Sequence, residues 1–441
     1  MKKTAIVLSI LILLISVMPA FSASAYTPTF KVNAKKYILK NTDTGDVIDS
    51  NGIQDKIYPA SITMMMTAYV AKQQMTDFQV SVVCKNEIID SFYGSGLLVA
   101  YLKQGEIVTL EDLMYLTLIG SYNDAASVLA DYVAGSEKAF VKMMNDTAKQ
   151  LGMKNTHFSV VNGKHDENNY TTIEDLCILS DVFFADEYLL EISSTDSYSM
   201  AATNLTVARE VVTTNLLLSR YSGYYYKYAV AGKTGVSDEA GRCLVCIASK
   251  DGANYLCIVT GCDTDAVTDT GATSRPEYSD TVSLFKWAFF SFEYKILVNE
   301  GEAISSAKVK LSWDVDEFSL VAQNTVSALV PINADESSLI FETTLNYDNY
   351  NQDSTGYFIA PVIAGEVYGT ATVIYADQIV GEVNLVAANS VDRSFTLLIW
   401  DFIQKIFFNG YMVVILATLI IGFIIFVFVF NGRNKSRRKR R

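Results

Sequence analysis

The chain has 441 residues, half of them hydrophobic, and a formal net charge of −13 at pH 7. Nine of its cations sit at the two ends, Lys2 and Lys3 at the start and seven Lys and Arg in the last eleven residues, so the rest is still more acidic than the total suggests. That balance argues against nucleic acid or anionic lipid as partners of the main body and leaves the fold open.

In chain order, Lys2 and Lys3, the apolar run from Ala5 to Val17 and the small residues Ala23-Ser24-Ala25 read as a secretory signal peptide over residues 1–25. Residues 26–293 mix the two periodicities. KKYILKNTDTGDVI predicts strands, and helical patterns follow over Ser61–Gln73, Leu110–Tyr132 and Ser136–Leu151. CLVCIASKDGANYLCIVTGC reads as two strands around Asp251-Gly252, and a two-residue turn there sets Cys246 opposite Cys257. Two buried free thiols and a cross-strand disulfide both remain open at that pair. From 294 to 393 short alternating runs such as AKVKLSWDV and FSLVAQ predict a small β-rich domain.

The last three segments read as membrane-related. FTLLIWDFIQKIFF, within 394–409, fits a helix lying at a membrane surface. Residues 410–430 contain YMVVILATLIIGFIIFVFVF, which at about 1.5 Å per residue spans the roughly 30 Å hydrocarbon core as a transmembrane helix. The basic tail 431–441 then lies in the cytoplasm by the positive-inside rule, leaving the body outside a single-pass bacterial cell membrane. With only His157 and His165, and six cysteines without ligand spacing, neither a metal nor a cofactor is expected.

Three segments carry chemistry. YPASITMMMTAYVA places Ser61 at the start of a helix after Pro59, where unpaired backbone N–H groups favour developing negative charge; alone, such a serine is more often a plain cap. GSYNDAASVLADYVAG contains Ser121-Tyr122-Asn123, and AGKTGVSDEAGRCLV contains Lys233-Thr234-Gly235. Their order and content resemble the serine D-alanyl-D-alanine carboxypeptidases, the small penicillin-binding proteins, whose marks are S-x-x-K, S-x-N and K-T-G. The resemblance extends through GSEKAFVKMMNDTAKQLGMKNTHF and into PVIAGEVYGTATVIYADQIVGEVNLVAANSV, nearly the whole body.

The resemblance implies an α/β fold of the penicillin-binding and β-lactamase-like transpeptidase type, helices on an antiparallel sheet, followed by the β-rich domain and the C-terminal transmembrane helix. It implies a role in peptidoglycan metabolism, with the D-Ala-D-Ala stem peptide as partner and β-lactams as further ligands. Ser61 would be the nucleophile and Ser121 a proton relay. Asn123 would bind the substrate amide, and Lys233, Thr234, Gly235 and Val236 would line the substrate site. The N–H groups of Ser61 and Val236 would form the oxyanion hole.

One position departs: where the family has the lysine that accepts the serine proton, this chain has Met64. A thioether takes no proton, and loss of a positioned base costs on the order of 10² to 10⁴ in rate. The expectation is a homologue that binds stem peptides with weak or absent hydrolysis; the alternative is a working carboxypeptidase with another group, Lys233 foremost, as base. Lys72 lies about 16 Å along the helix from Ser61, out of reach. The family also tends to carry a basic residue where this chain has Tyr255.

Overall fold

The computed structural model describes residues 28–267, 271, 273–332, 338–347, 356–375, 378–407 and 410–438, so the expected signal peptide lies outside the described residues. The chain divides into two compact units, one running to Glu293 and the other starting at Tyr294, with 331–333 grouped with the first.

In the first unit a five-stranded sheet runs, in spatial order, Val47–Asn51, Lys36–Asn41, Ala253–Cys262, Gly241–Lys250, Ala229–Ser237. Every neighbouring pair is antiparallel, as expected for this fold class. Asp251 and Gly252, at φ 52° and 88°, make the two-residue turn between the Gly241–Lys250 and Ala253–Cys262 strands. Positive φ at both central residues matches the right-handed twist of a hairpin, and it sets Cys246 directly opposite Cys257. All six cysteines are buried free thiols.

The helix Thr63–Gln74 is the hub of this unit. Its residues from Thr63 to Ala68 are all buried, because TMMMTA offers no polar stripe and the helix can only sit inside. It packs with Leu113, Leu116, Val128, Phe140 and Phe183 of four surrounding helices and with Ile38 and Ile258 of the sheet in one apolar cluster. The nucleophile candidate therefore stands just before a helix whose first six residues are all buried.

The single helical pattern expected over Leu110–Tyr132 is two helices, Leu110–Leu118 and Asn123–Ala134. The break is made at Ser121, held at φ 57°, with Tyr122 N–H bonded to Leu116 O and Asn123 N–H to Leu98 O instead of continuing the ladder. Both helices bury apolar residues in the same core, so the periodicity runs on across a backbone that does not. Ser136 caps the next helix, Glu137–Leu151, by accepting from Ala139 N–H.

The second unit has its own six-stranded sheet, in the order Leu339–Leu345, Val367–Tyr375, Gln378–Ala387, Glu317–Ala322, Ala303–Lys310, Phe358–Ile359. Phe318, Leu320, Phe358, Tyr368, Val373 and Leu385 form its core. Helices Phe395–Phe407 and Gly410–Arg438 follow. Among the described residues no helix is long and apolar enough to cross a membrane, and the expected span at 410–430 and tail at 431–441 include residues whose side chains are not described.

Candidate active site

Ser61 sits in a single 3₁₀ turn, Ala60–Ile62, that leads into the hub helix. Ile62 N–H closes the turn on Pro59 O at 3.1 Å. Ala60 is held at φ 47°, a left-handed conformation that costs a non-glycine residue on the order of 1–2 kcal/mol, so the residue before the serine is strained. Two glycines make the space for it. A Cβ on Gly163 would lie 2.1 Å from Ala60 O and 2.8 Å from Ser61 N, and one on Gly235 would lie 2.8 Å from Pro59 O. The Ser61 backbone is thus approached by the 161–163 segment and by the strand Ala229–Ser237, at distances only glycine permits. The Ser61 hydroxyl makes no hydrogen bond among the described residues.

Three side chains meet beside this turn. Lys233 Nζ donates to Ser121 Oγ at 2.6 Å, and Ser121 Oγ donates to Met64 Sδ at 3.8 Å. Met64 is fully buried, one helical turn past Ser61. Lys233 is only 2 % exposed, its second bond goes to Thr234 O at 2.9 Å, and burial pulls its pKa down from 10.5 to about 7. No carboxylate opposes that shift, so the amine is poised between its two protonation states at neutral pH. Lys72, by contrast, is turned to Asp186, 3.7 Å away, and lies over the Tyr188 ring.

The remaining expected residues fall around this centre. Asn123 is buried, and its amide Nδ2 donates to Leu98 O at 2.8 Å. Thr234 Oγ1 shares a 2.6 Å hydrogen bond with Thr214 Oγ1, and Tyr278 O–H donates to the Thr214 carbonyl. Val236 is 54 % exposed, one residue beyond the close approach of Gly235. Sequence reading missed Gly163, Thr214 and the Leu98 carbonyl. Gly163 was detectable as the glycine of VVNGK; Thr214 and Leu98 carry no motif. Tyr255 does not belong here: it is buried against Phe289, ring centroids 5.0 Å apart, and pairs with Ala248, whereas Lys233 pairs with Val245. Among the described residues no group of three metal-ligating side chains is present.

Chemically the arrangement offers an accessible serine on a strained turn, an amine and a hydroxyl in contact, and a strand end lined by Thr234 and Val236. It suits an extended anionic peptide end laid along the strand.

Comparison with known proteins places the chain among relatives. The family profile described as D-alanyl-D-alanine carboxypeptidase matches residues 21–264, and that described as the penicillin-binding protein 5 C-terminal domain matches 292–393. The D-alanyl-D-alanine carboxypeptidase DacF of Bacillus subtilis is 26% identical over 364 residues, 82% of this chain and 86% of its own. DacC of Escherichia coli, of the same description, is 26% identical over 399 residues, 88% of this chain and 92% of its own. Among solved structures, the D-alanyl-D-alanine carboxypeptidase DacD from Francisella tularensis shares the fold with a TM-score of 0.65 at 19% identity, covering 85% of this chain and 98% of that one.

Proposed function

The chain belongs to the D-alanyl-D-alanine carboxypeptidase family, and from that premise we propose that it binds the D-Ala-D-Ala end of peptidoglycan stem peptides at the Ser61 site, with hydrolysis weak or lost. Met64 carries this reading. Its sulfur lies 3.8 Å from Ser121 Oγ, fully buried, where the family resemblance calls for an amine. A thioether is a weak hydrogen-bond acceptor and no base. Ser61 then lacks a group on its own helix to take its proton.

Binding does not need that proton transfer. In this reading Lys233 and Thr234 hold the terminal carboxylate, Asn123 the substrate amide, and the N–H groups of Ser61 and Val236 the scissile carbonyl oxygen. β-Lactams occupy the same groove. Residues 26–293 carry the site and 294–393 form the membrane-proximal domain. The reading includes export by residues 1–25, a surface helix in 394–409 and anchorage through 410–430, with 431–441 in the cytoplasm. Exposed apolar side chains such as Leu419, Phe423, Phe426 and Phe428 support the anchor.

A second reading has a specific observation in its favour. Lys233, its pKa lowered by burial to about 7, lies 2.6 Å from Ser121 Oγ; a Ser61 hydroxyl turned to Ser121 when substrate is bound would pass its proton through Ser121 to the neutral amine, which would make the protein a working carboxypeptidase. The same amine cannot then also serve as a permanent cation for the carboxylate.

Fluorescent-penicillin labelling of the detergent-purified full chain separates the two. Met64→Lys is expected to label at least about 100-fold faster than wild type, and Ser61→Ala not at all. Wild-type labelling as fast as that of Met64→Lys, abolished in Lys233→Met, would overturn the binding reading in favour of the second. Release of D-alanine from a pentapeptide gives the same division with the natural leaving group.

A further inference from the structure

A cavity of about 610 Å³ opens at the far end of the first unit's sheet, between it and the helices Ile173–Ala185 and Glu187–Ser194. Val230, which lines it, is three residues before Lys233, about 10 Å along an extended strand, and none of the candidate site residues lines it. Its volume falls in the range of small-molecule pockets, and its walls are mostly apolar: Phe184, Leu190, Ile247 and Leu256 join Val230.

Two polar features mark it as more than a packing fault. Ser180 lines the cavity, is 1 % exposed, and its hydroxyl has no hydrogen-bond partner. A buried hydroxyl with nothing to bond is costly; it is closed to water as it stands, and a rotation about χ1 that turns it into the cavity would let a ligand polar group relieve it. At the mouth Lys40 Nζ and Asp181 Oδ2 are paired at 2.7 Å, and these are the charged side chains of the lining. Each cancels the other toward anything inside. An ionic ligand would meet a like charge as near as an opposite one, or would have to split the pair; an uncharged one meets neither penalty.

We infer that this cavity is a binding site for an uncharged amphiphilic small molecule, an aromatic or acyl amide in chemical type, whose polar group bonds the Ser180 hydroxyl while its apolar body lies against Phe184, Leu190 and Ile247. The inference is independent of whether Ser61 is acylated. The site is separate from the peptide groove, and its ligand need not contain D-alanine.

The test is a fluorescence titration of the full chain in detergent with N-(1-naphthyl)acetamide, a neutral aromatic amide with one donor and one acceptor, against empty micelles as reference. Saturable one-to-one binding is expected. Ser180→Ala should weaken it about fivefold, and Ala185→Trp, at an exposed lining position, should abolish it by filling the mouth. The anion 1-naphthylacetate should bind at least about tenfold more weakly than the amide. Ser61→Ala should bind the amide as wild type does. Thermal melting of each variant separates loss of the site from loss of the fold, and of the two lining variants the one that keeps the wild-type melt decides. Absence of saturable binding above the micelle signal, equal affinity in a correctly folded Ser180→Ala or Ala185→Trp, or equal affinity for the anion would each overturn the inference; loss in Ser61→Ala would move the amide to the peptide groove and overturn it too.

Discussion

At the residue scale, Lys233 sets the site's response to pH. Burial lowers its pKa from 10.5 to about 7, so the folded protein binds fewer protons than the unfolded chain between those values. Its contribution to stability therefore rises with pH from about 7 to about 10.5, and the folded state carries its full cost below 7. The proposed peptide binding would run the other way, because the ammonium is the form that attracts a carboxylate. Affinity for an N-acylated D-alanyl-D-alanine peptide, measured by calorimetry, should tighten about tenfold from pH 8 to pH 6, and Lys233→Met should remove that dependence. An unchanged slope in Lys233→Met would show that another group binds the carboxylate. Gly163 makes a steric demand: at φ +77° and with Ala60 O where its Cβ would go, Gly163→Ala has to push the Ala60–Ile62 turn aside. A loss of about 2 kcal/mol or more in urea unfolding is expected, together with loss of penicillin labelling in a Met64→Lys background.

At the element scale, the Ser121 break is what turns a core helix into a site. Without it, one rod would run from Leu110 to Ala134, and Ser121 would be one more residue on a buried face. The loop before it is tied to the second helix by Asp124, which is 2 % exposed and accepts from Ala100 N–H at 2.8 Å and Leu102 N–H at 3.1 Å. Asp124→Ala leaves three backbone donors, Ala125 N–H being the third, without this partner and should cost about 2–4 kcal/mol, with faster proteolytic cleavage between residues 91 and 101. Cleavage and stability like wild type would show that the Leu98 contact to Asn123 alone holds the loop. The same region shows what sequence could and could not convey. The Cys246–Cys257 register was legible because a two-residue turn fixes the pairing of every later residue in the hairpin. The Thr63–Gln74 helix was legible because its composition has no polar side. The break at Ser121 was not, since apolar spacing reports which residues are inside and says nothing of φ at one residue. Nor was Thr214: its bond to Thr234 joins positions twenty apart with no pattern in either. That Tyr255 stands away from the site was not legible either, because a motif carries no strand register: the pairing puts it three residues from the row that holds Lys233.

At the scale of the whole molecule, burial is local to each unit. The apolar cluster that surrounds the Ser61 helix ends at Ile258, and the second cluster begins at Leu297, so each sheet closes on residues of its own stretch of chain. A body of about 265 residues is large enough to bury a sufficient core unaided, and one of about 100 residues with a six-stranded sheet is within the usual size of an independent domain. Calorimetry of the full chain should therefore resolve two unfolding transitions rather than one. Val373 is fully buried in the second cluster, and Val373→Asp places an unpaired carboxylate there, which should cost more than about 4 kcal/mol and remove one transition. In the same variant made on Met64→Lys, penicillin labelling at Ser61 should proceed at an unchanged rate, because no residue of the candidate site draws its support from that core. If the remaining transition also shifts down by more than a few degrees, or labelling falls, folding of the site depends on the second unit, and the two cores act as one cooperative body.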